Sequence, residues 1–164
     1  MIQRIQTLFL ALAVVANVLL FFYPVVSITE FTEVHGDVLE TDYYEMSALG
    51  ISDPSPDSIP TLDFMACLPM MIVSLIIIIF TTYAIFKYKN RPHQLKLVKL
   101  SIFLNIILIA GVFLNYPKFM TDANISIEQG MGAYFPLISL VLLVVANRYI
   151  LKDHKLVSSV DRLR

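Results

Sequence analysis

Cysteine is almost absent from this sequence. Cys67 is the single cysteine among 164 residues, so an internal disulfide and a thiolate metal cluster are both excluded. The residue lies within a long apolar run, where we expect a buried, unreactive thiol. Cysteine chemistry therefore contributes nothing to the predicted function.

Ionisable side chains are missing from the middle of the long apolar runs. Acidic, basic or histidine side chains at mid-bilayer depth mark proton relays and coupled transport, and this chain has none there. The HExxH, GxSxG, P-loop and dinucleotide-binding patterns are also absent. We therefore expect a protein that is not an enzyme, with no catalytic, cofactor-binding or metal-binding residues and no nucleic-acid partner.

What the sequence does contain is four long apolar runs, at residues 7–23, 64–86, 100–116 and 131–151. A bilayer core of about 30 Å needs roughly 20 helical residues, with about 17 at the low end. Apolar residues make up 57% of the chain, which is above the range of soluble domains. The pattern predicts an all-α membrane protein, an antiparallel four-helix transmembrane bundle that forms one domain over residues 1–164.

Basic residues are nearly absent from one side of this predicted bundle. Eleven of the 12 lysines and arginines fall on one side if the helices alternate in direction, and only Lys118 falls on the other. Because lysine and arginine concentrate in cytoplasmic segments, both termini are predicted to be cytoplasmic. The same topology separates His35 from His93 and His154, so the three histidines cannot share a metal site.

The first outer segment, residues 24–63, is acidic and contains strand-forming sequence. It carries nine acids and no lysine or arginine, which fits either solvated hairpin edges or a site for cations or a basic partner. Two β-rich stretches, 24–34 and Val38–Met46, flank a His-Gly-Asp turn and predict a periplasmic hairpin. Residues 123–128 alternate like a third strand. The topology is similar to the claudin type by fold analogy only, without the paired cysteines of that family.

Small and weakly polar residues recur along one side of each apolar run. Seven-residue spacing keeps such a stripe facing a neighbouring helix, and small residues favour helix association in lipid. One interpretation is packing with interhelical amide hydrogen bonds. The other is a polar conduit or ligand pocket, lined by Asn17, Asn105 and Asn115. The four stripes are Gln6, Ala13 and Asn17; Cys67, Ser74 and Thr81; Ser101, Asn105 and Asn115; and Gly132, Ser139 and Ala146.

The C-terminal segment, residues 152–164, is basic and has apolar residues on one helical face at Leu156, Val160 and Leu163. Such a segment suits the surface of an anionic membrane leaflet. Alternatively, it suits a groove on a partner protein.

Several stretches resemble a family of small bacterial membrane proteins, the family called domain of unknown function 4293. They are the opening Met1–Leu10, the stretch 132–139, the stretch 146–150 and the closing 156–164. The resemblance implies a four-span inner-membrane protein of Gram-negative-type bacteria, and it carries no catalytic residues. These stretches place several polar residues together at one membrane face, namely Gln3, Arg4, Gln6, Asn147, Arg148, Asp161 and Arg162.

Two functions follow from these patterns. The first is a non-catalytic scaffold or accessory subunit that engages a membrane-protein complex through its cytoplasmic face and C-terminal tail. The second is binding or transport of a small solute or lipid through a polar-lined bundle. The predicted interaction face consists of Arg4, Arg148, Asp161, Arg162 and Arg164.

Overall fold

The computed structural model describes residues 2–34, 37–52, 64–88, 90–115 and 125–161, with side chains over 5–29, 43–51, 67–88, 90–113 and 126–157. Most of this is helical. The helices are α1 (Ile2–Leu19), α2 (Phe64–Phe86), α3 (Arg91–Asn115) and α4 (Tyr134–Asp161). Three stretches of 20, 23 and 27 residues are long and apolar enough to cross a membrane: Cys67–Phe86 in α2, Arg91–Phe113 in α3, and Met131–Val157, which begins in a short 3-10 turn before α4. The apolar stretch of α1, Ile5–Leu19, is shorter.

Helix α1 begins and ends earlier than the run at residues 7–23 predicted. Tyr23 precedes Pro24, and a residue before proline is disfavoured in helical conformation. The hydrogen bonding at the end of α1 therefore changes to tighter, three-residue turns before Pro24. Phe21 N–H donates to the carbonyl of Val18 at 3.1 Å, which is three-residue bonding typical of a helix end.

Helix α3 begins well before residue 100, where the apolar run begins. Pro92 is the second residue of α3. Proline in the first turn breaks no hydrogen bond, because the N–H groups of that turn have no carbonyl acceptor within the helix. Gln94 N–H donates to the carbonyl of Asn90 at 3.0 Å and closes the first turn. Lys96 and Lys99, which precede the apolar run, therefore belong to α3.

Helix α4 runs without interruption to Asp161, so the predicted C-terminal tail continues this helix as far as Asp161. The reason is local. No glycine or proline occurs between Leu137 and Asp161, and lysine and leucine are good helix formers. The 28 residues of α4 make a helix about 42 Å long, compared with about 30 Å for a bilayer core.

An antiparallel sheet of four strands lies at one end of the helices, in the order β3-β2-β1-β4. Its strands are β1 (Val26–Val34), β2 (Asp37–Met46), β3 (Ile51–Ser52) and β4 (Ile125–Gln129). The predicted hairpin is present as β1 and β2, with a bulge between Glu30 and Phe31. The predicted third strand is β4, which pairs with β1 so that Val26 lies opposite Gln129.

Two apolar clusters hold the helices together, one at each end. Helix α1 packs against α2 and α4, and α3 packs against the same two helices. The cluster at the sheet end joins the helices to the sheet and includes Leu20, Met46, Cys67, Val112 and Ala133. The cluster at the other end includes Leu10, Ala84, Leu95 and Ile150. Helices α2 and α3 contribute to both clusters, and Leu20 and Ala133 extend α1 and α4 into the cluster at the sheet end. Successive helices therefore run in opposite directions. We call the end that contains this second cluster the basic end, because exposed lysine and arginine side chains lie there.

A close backbone contact fixes the start of α4 against the end of α1. Gly130 N–H donates to the Val25 carbonyl at 3.0 Å, and Gly132 N–H donates to the Pro24 carbonyl at 2.8 Å. A Cβ atom on Gly132 would lie 2.6 Å from the Tyr23 carbonyl oxygen, which is closer than real Cβ atoms approach. Glycine is therefore required here for close approach.

Candidate functional site

A layer of polar side chains lies between the two apolar clusters. We call Asn17, Asn105 and Ser139 the polar layer; their side chains are between 0% and 1% exposed. Asn17 Nδ2 donates to Ser139 Oγ at 2.5 Å, and Asn105 Nδ2 donates to the same oxygen at 3.0 Å. Asn17 Nδ2 also donates to the carbonyl of Ala13 at 2.9 Å. One hydroxyl therefore joins α1, α3 and α4.

The amide oxygens of the polar layer are not paired. In the described part of the chain, neither Asn17 Oδ1 nor Asn105 Oδ1 has a hydrogen-bond donor, although both atoms are buried. A buried acceptor without a donor costs about 1–3 kcal/mol. The layer therefore presents two acceptors in an apolar interior. Asn147 Oδ1, which lies nearer the basic end, is also buried and has no hydrogen-bond donor among the described residues.

A second polar contact lies one turn nearer the basic end. Thr81 Oγ1 donates to Ser101 Oγ at 3.3 Å, and the Ser101 hydroxyl donates to the carbonyl of Leu97 at 3.1 Å. This contact joins α2 to α3. Between them, the two contacts connect all four helices through small polar side chains.

The predicted stripes can be followed through the structure. Every stripe residue with a described side chain is buried, and Gly132 lies in the close contact with Pro24. The structure brings Asn17 and Asn105 together through Ser139. Asn115 is the last residue of α3, and its side chain lies outside the described set. Gln6 Nε2 donates to the backbone carbonyl of Tyr149 at 3.2 Å and ties α1 to α4 near the basic end.

The basic end carries exposed cations on α3, α4 and the connection between α2 and α3. Lys87 lies over the ring of Tyr83, 5.4 Å from its centroid. Arg91 is instead half-buried and paired: its Nη2 lies 3.3 Å from Asp153 Oδ2, and its Nη1 donates to the Asp153 carbonyl at 3.1 Å. The exposed cations are Lys87, Lys96, Lys99, Arg148, Lys152 and Lys155.

The predicted interaction face is only partly described. Arg148 is exposed on α4 at the basic end. Arg4 and Asp161 lie on α1 and α4, and their side chains are outside the described set. Arg162 and Arg164 lie outside the described residues. Among the side chains that are described, no three histidine, cysteine, aspartate or glutamate residues cluster as a metal site requires.

Two features of these sites were missed by sequence reasoning. The Arg91–Asp153 pair was missed because Asp153 was assigned to a C-terminal tail, for which only a membrane surface or a partner protein was considered. The unbroken helical sequence after Leu137 is the signal that places Asp153 on α4 instead. Ser139 was predicted as a packing residue, and its role as the shared acceptor of two amides was not predicted.

The arrangement of four helices and a small sheet can be compared with known families. A family model described as domain of unknown function (DUF4293) matches residues 2–163, nearly the whole chain. The chain belongs to the DUF4293 family. The resemblance seen in the sequence is thereby confirmed. No curated protein matches the chain. The DUF4293 description names no activity, so any function must be argued from the polar layer and the basic end.

Proposed function

We propose that this DUF4293 protein is a non-catalytic, four-span protein of the bacterial inner membrane, and that it acts as a scaffold or accessory subunit. Both termini lie in the cytoplasm, the sheet lies in the periplasm, and the basic end engages a partner within a membrane-protein complex. Three features of the molecule support this function: the outward faces of the helices, the distribution of charge, and the length of α4.

The outward faces of the four helices support contact with lipid on all sides. Large apolar side chains are exposed on each helix, including Leu8 at 57%, Ile79 at 61%, Phe103 at 60% and Val141 at 62%. Exposure of this kind is unfavourable in water and favourable against lipid tails. Helix α1 has 18 residues and a length of about 27 Å, near the lower limit for a span. Its packing against two long apolar helices supports a fourth crossing.

The distribution of charge supports the orientation. The described lysines and arginines lie at the end of the helices opposite the sheet, and β1 and β2 carry acids but no lysine or arginine. An excess of lysine and arginine at one end is typical of the cytoplasmic side. The charge pattern thus favours a cytoplasmic basic end and a periplasmic sheet.

The observation that carries the proposal is the length of α4. At about 42 Å, α4 is longer than a bilayer core of about 30 Å, so its last turns extend past the lipid. These turns carry exposed Lys152 and Lys155 beside Val157, which is 42% exposed. The Arg91–Asp153 pair holds them against the start of α3. A fixed helix with exposed cationic and apolar side chains suits recognition by a partner protein.

The test is extraction of the full-length protein from native membranes in a mild detergent, followed by sizing. The wild-type chain of 18.6 kDa is expected to migrate in a larger complex with a defined partner. A variant with Lys152→Glu and Lys155→Glu is expected to lose that partner. The matched control is Glu128→Lys, a reversal at an exposed position of the sheet end, which is expected to keep it. Recovery of the wild type alone in every extract would overturn the proposal, as would a complex that survives the double reversal.

A second candidate function is binding or transport of a small solute or lipid through the polar layer. The unpaired oxygens of Asn17 and Asn105 favour it, because a ligand with hydrogen-bond donors would satisfy them. Asn115 was predicted to line the same path. Native mass spectrometry of the protein in nanodiscs tests this function. A retained small molecule that is lost in Asn105→Leu supports it, and a bare wild-type protein rejects it.

A further inference from the structure

The hydrogen-bonding groups of the polar layer do not satisfy one another, and the mismatch is specific. Asn17 uses both hydrogens of Nδ2, one on the Ala13 carbonyl and one on Ser139 Oγ. Asn105 uses Nδ2 on the same Ser139 oxygen. The amide oxygens of Asn17 and Asn105 are both buried, and neither accepts a hydrogen bond from the residues that the structure describes.

Rotating the side-chain amides by about 180°, which exchanges the positions of oxygen and nitrogen, does not pair all of these groups. A carbonyl oxygen can only accept, so the atom of Asn17 that faces the Ala13 carbonyl must be the nitrogen, and its Oδ1 keeps its position. Exchanging the oxygen and nitrogen of Asn105 would let the Ser139 hydroxyl donate to that oxygen. After that exchange Asn17 Oδ1 would still lack a donor among the described residues. In both arrangements at least one buried amide oxygen is therefore left unpaired.

From this count we propose that the polar layer binds one internal water molecule, which bridges Asn17 Oδ1 and Asn105 Oδ1 between the two apolar clusters. A water molecule has two O–H donors, and the layer has two unpaired acceptors. Buried waters in proteins typically make two to four hydrogen bonds to groups of this kind. The proposal is independent of the scaffold function, because it concerns the interior of the helices and not their basic end.

The neighbouring side chains suit a small occupant and disfavour a large one. Ala13, Ser101 and Ser139 are small and fully buried, and the apolar clusters lie on both sides along the helix axes. A charged occupant would need an opposite charge in this low-dielectric interior. No ionised side chain is present in the apolar runs at this level. A neutral donor fits these surroundings.

The test is nuclear magnetic resonance of the full-length protein in lipid nanodiscs, with ¹⁵N-labelled asparagine. Magnetisation transfer from the water signal to the side-chain amides of Asn17 and Asn105 is expected. Exposed Asn90 serves as the positive control, and the methyl groups of Leu143, buried in the apolar cluster, serve as the negative control. Absence of transfer at both buried amides would overturn the proposal. Contacts between these amides and carbon-bound protons of a solute would also overturn it.

Variants give a second measurement in the same protein. Asn105→Leu removes one of the two acceptors, so the transfer from water to Asn17 is expected to disappear, although Asn17 is unchanged. The matched control is Ser101→Ala, a buried polar residue of α3 whose hydroxyl accepts from Thr81 and donates to the Leu97 carbonyl. This control is expected to keep the transfer to Asn17. Persistence of the transfer in Asn105→Leu would contradict a bridging water. The wild-type measurement stands even if Asn105→Leu does not fold.

Discussion

Asn17 Nδ2 lies 2.5 Å from Ser139 Oγ, although 122 positions separate the two residues in the chain. The same oxygen accepts from Asn105, which lies 34 positions before Ser139. A hydroxyl group is small enough to be approached from two helices at once, so α1 and α3 meet α4 at one level. In lipid, where apolar faces gain little by meeting, such contacts help to fix which helices are neighbours.

Replacement of Ser139 by alanine is expected to lower the stability of the protein by about 1–2 kcal/mol. The change removes the shared acceptor of two buried amides, and interhelical hydrogen bonds in membranes contribute about 0.6 kcal/mol on average and up to about 1.7. Thermal unfolding in detergent, followed by circular dichroism, measures the effect. The matched control is Ser74→Ala: Ser74 is equally buried, but its hydroxyl donates to Met71 within its own helix. Equal losses in the two variants would contradict a special role for Ser139.

Replacement of Gly132 by alanine is expected to destabilise the junction between α1 and α4. The new methyl group would lie 2.6 Å from the Tyr23 carbonyl oxygen, so the backbone must shift at a cost of about 1–3 kcal/mol. The opposite sign is expected for Gly111→Ala. Its Cβ meets nothing within 4 Å, and alanine favours a helix over glycine by about 1 kcal/mol. Unfolding midpoints measured side by side would show opposite shifts, and a loss at Gly111 equal to that at Gly132 would refute this explanation.

Asp153→Asn is expected to reduce stability only slightly, by up to about 1 kcal/mol. The side chains of Arg91 and Asp153 are partly buried but keep 21% and 13% of their surface exposed, and an ion pair that solvent still reaches contributes little. Asparagine also keeps the backbone carbonyl that Arg91 Nη1 contacts. The effect is expected to shrink further in concentrated salt, which screens the pair. Unfolding in low and high salt, with Glu128→Gln as the control acid at the sheet end, measures it. A loss above about 2 kcal/mol would indicate instead that Arg91 is left as a buried, unpaired charge.

The proposed orientation predicts which engineered cysteines a membrane-impermeant maleimide reaches in intact cells. Leu49→Cys, at an exposed position near the sheet, is expected to react in spheroplasts. Asn90→Cys, exposed at the basic end, is expected to react only after the membrane is permeabilised. The native Cys67 is 1% exposed and provides the background. The reverse labelling pattern would invert the topology and place the proposed docking face outside the cell.

Burial along the helices was predictable from the sequence because spacing alone decides which side faces a neighbour. Ser74, Thr81 and Ser139 were assigned to inward stripes, and all three are 0% exposed. The shared hydrogen bond was not predictable, because it depends on the axial register of α1 and α3 against α4. That register is set by features that spacing does not show, such as the backbone contact at Gly132.

The ends of the helices were predicted less well, because hydropathy marks where lipid begins and not where a helix begins. Residues 91–99 and 152–161 are polar and were assigned to a connection and a tail, yet they continue α3 and α4. Helix propensity and the position of Pro92 decide these boundaries, not apolar content. The Arg91–Asp153 pair follows from the two extensions together. The role of the basic end remains a prediction, since it depends on a partner.

The length of α4 also gives it the geometry of a lever. It has no glycine or proline after its first turn, so a change of tilt at its sheet end is carried along the whole helix. Over about 42 Å, a tilt of about 10° displaces the far end by roughly 7 Å. The backbone contacts at Gly130 and Gly132 join that lever to the sheet. A load on the sheet would thus reach the opposite end of the molecule as a sideways movement of Asp161.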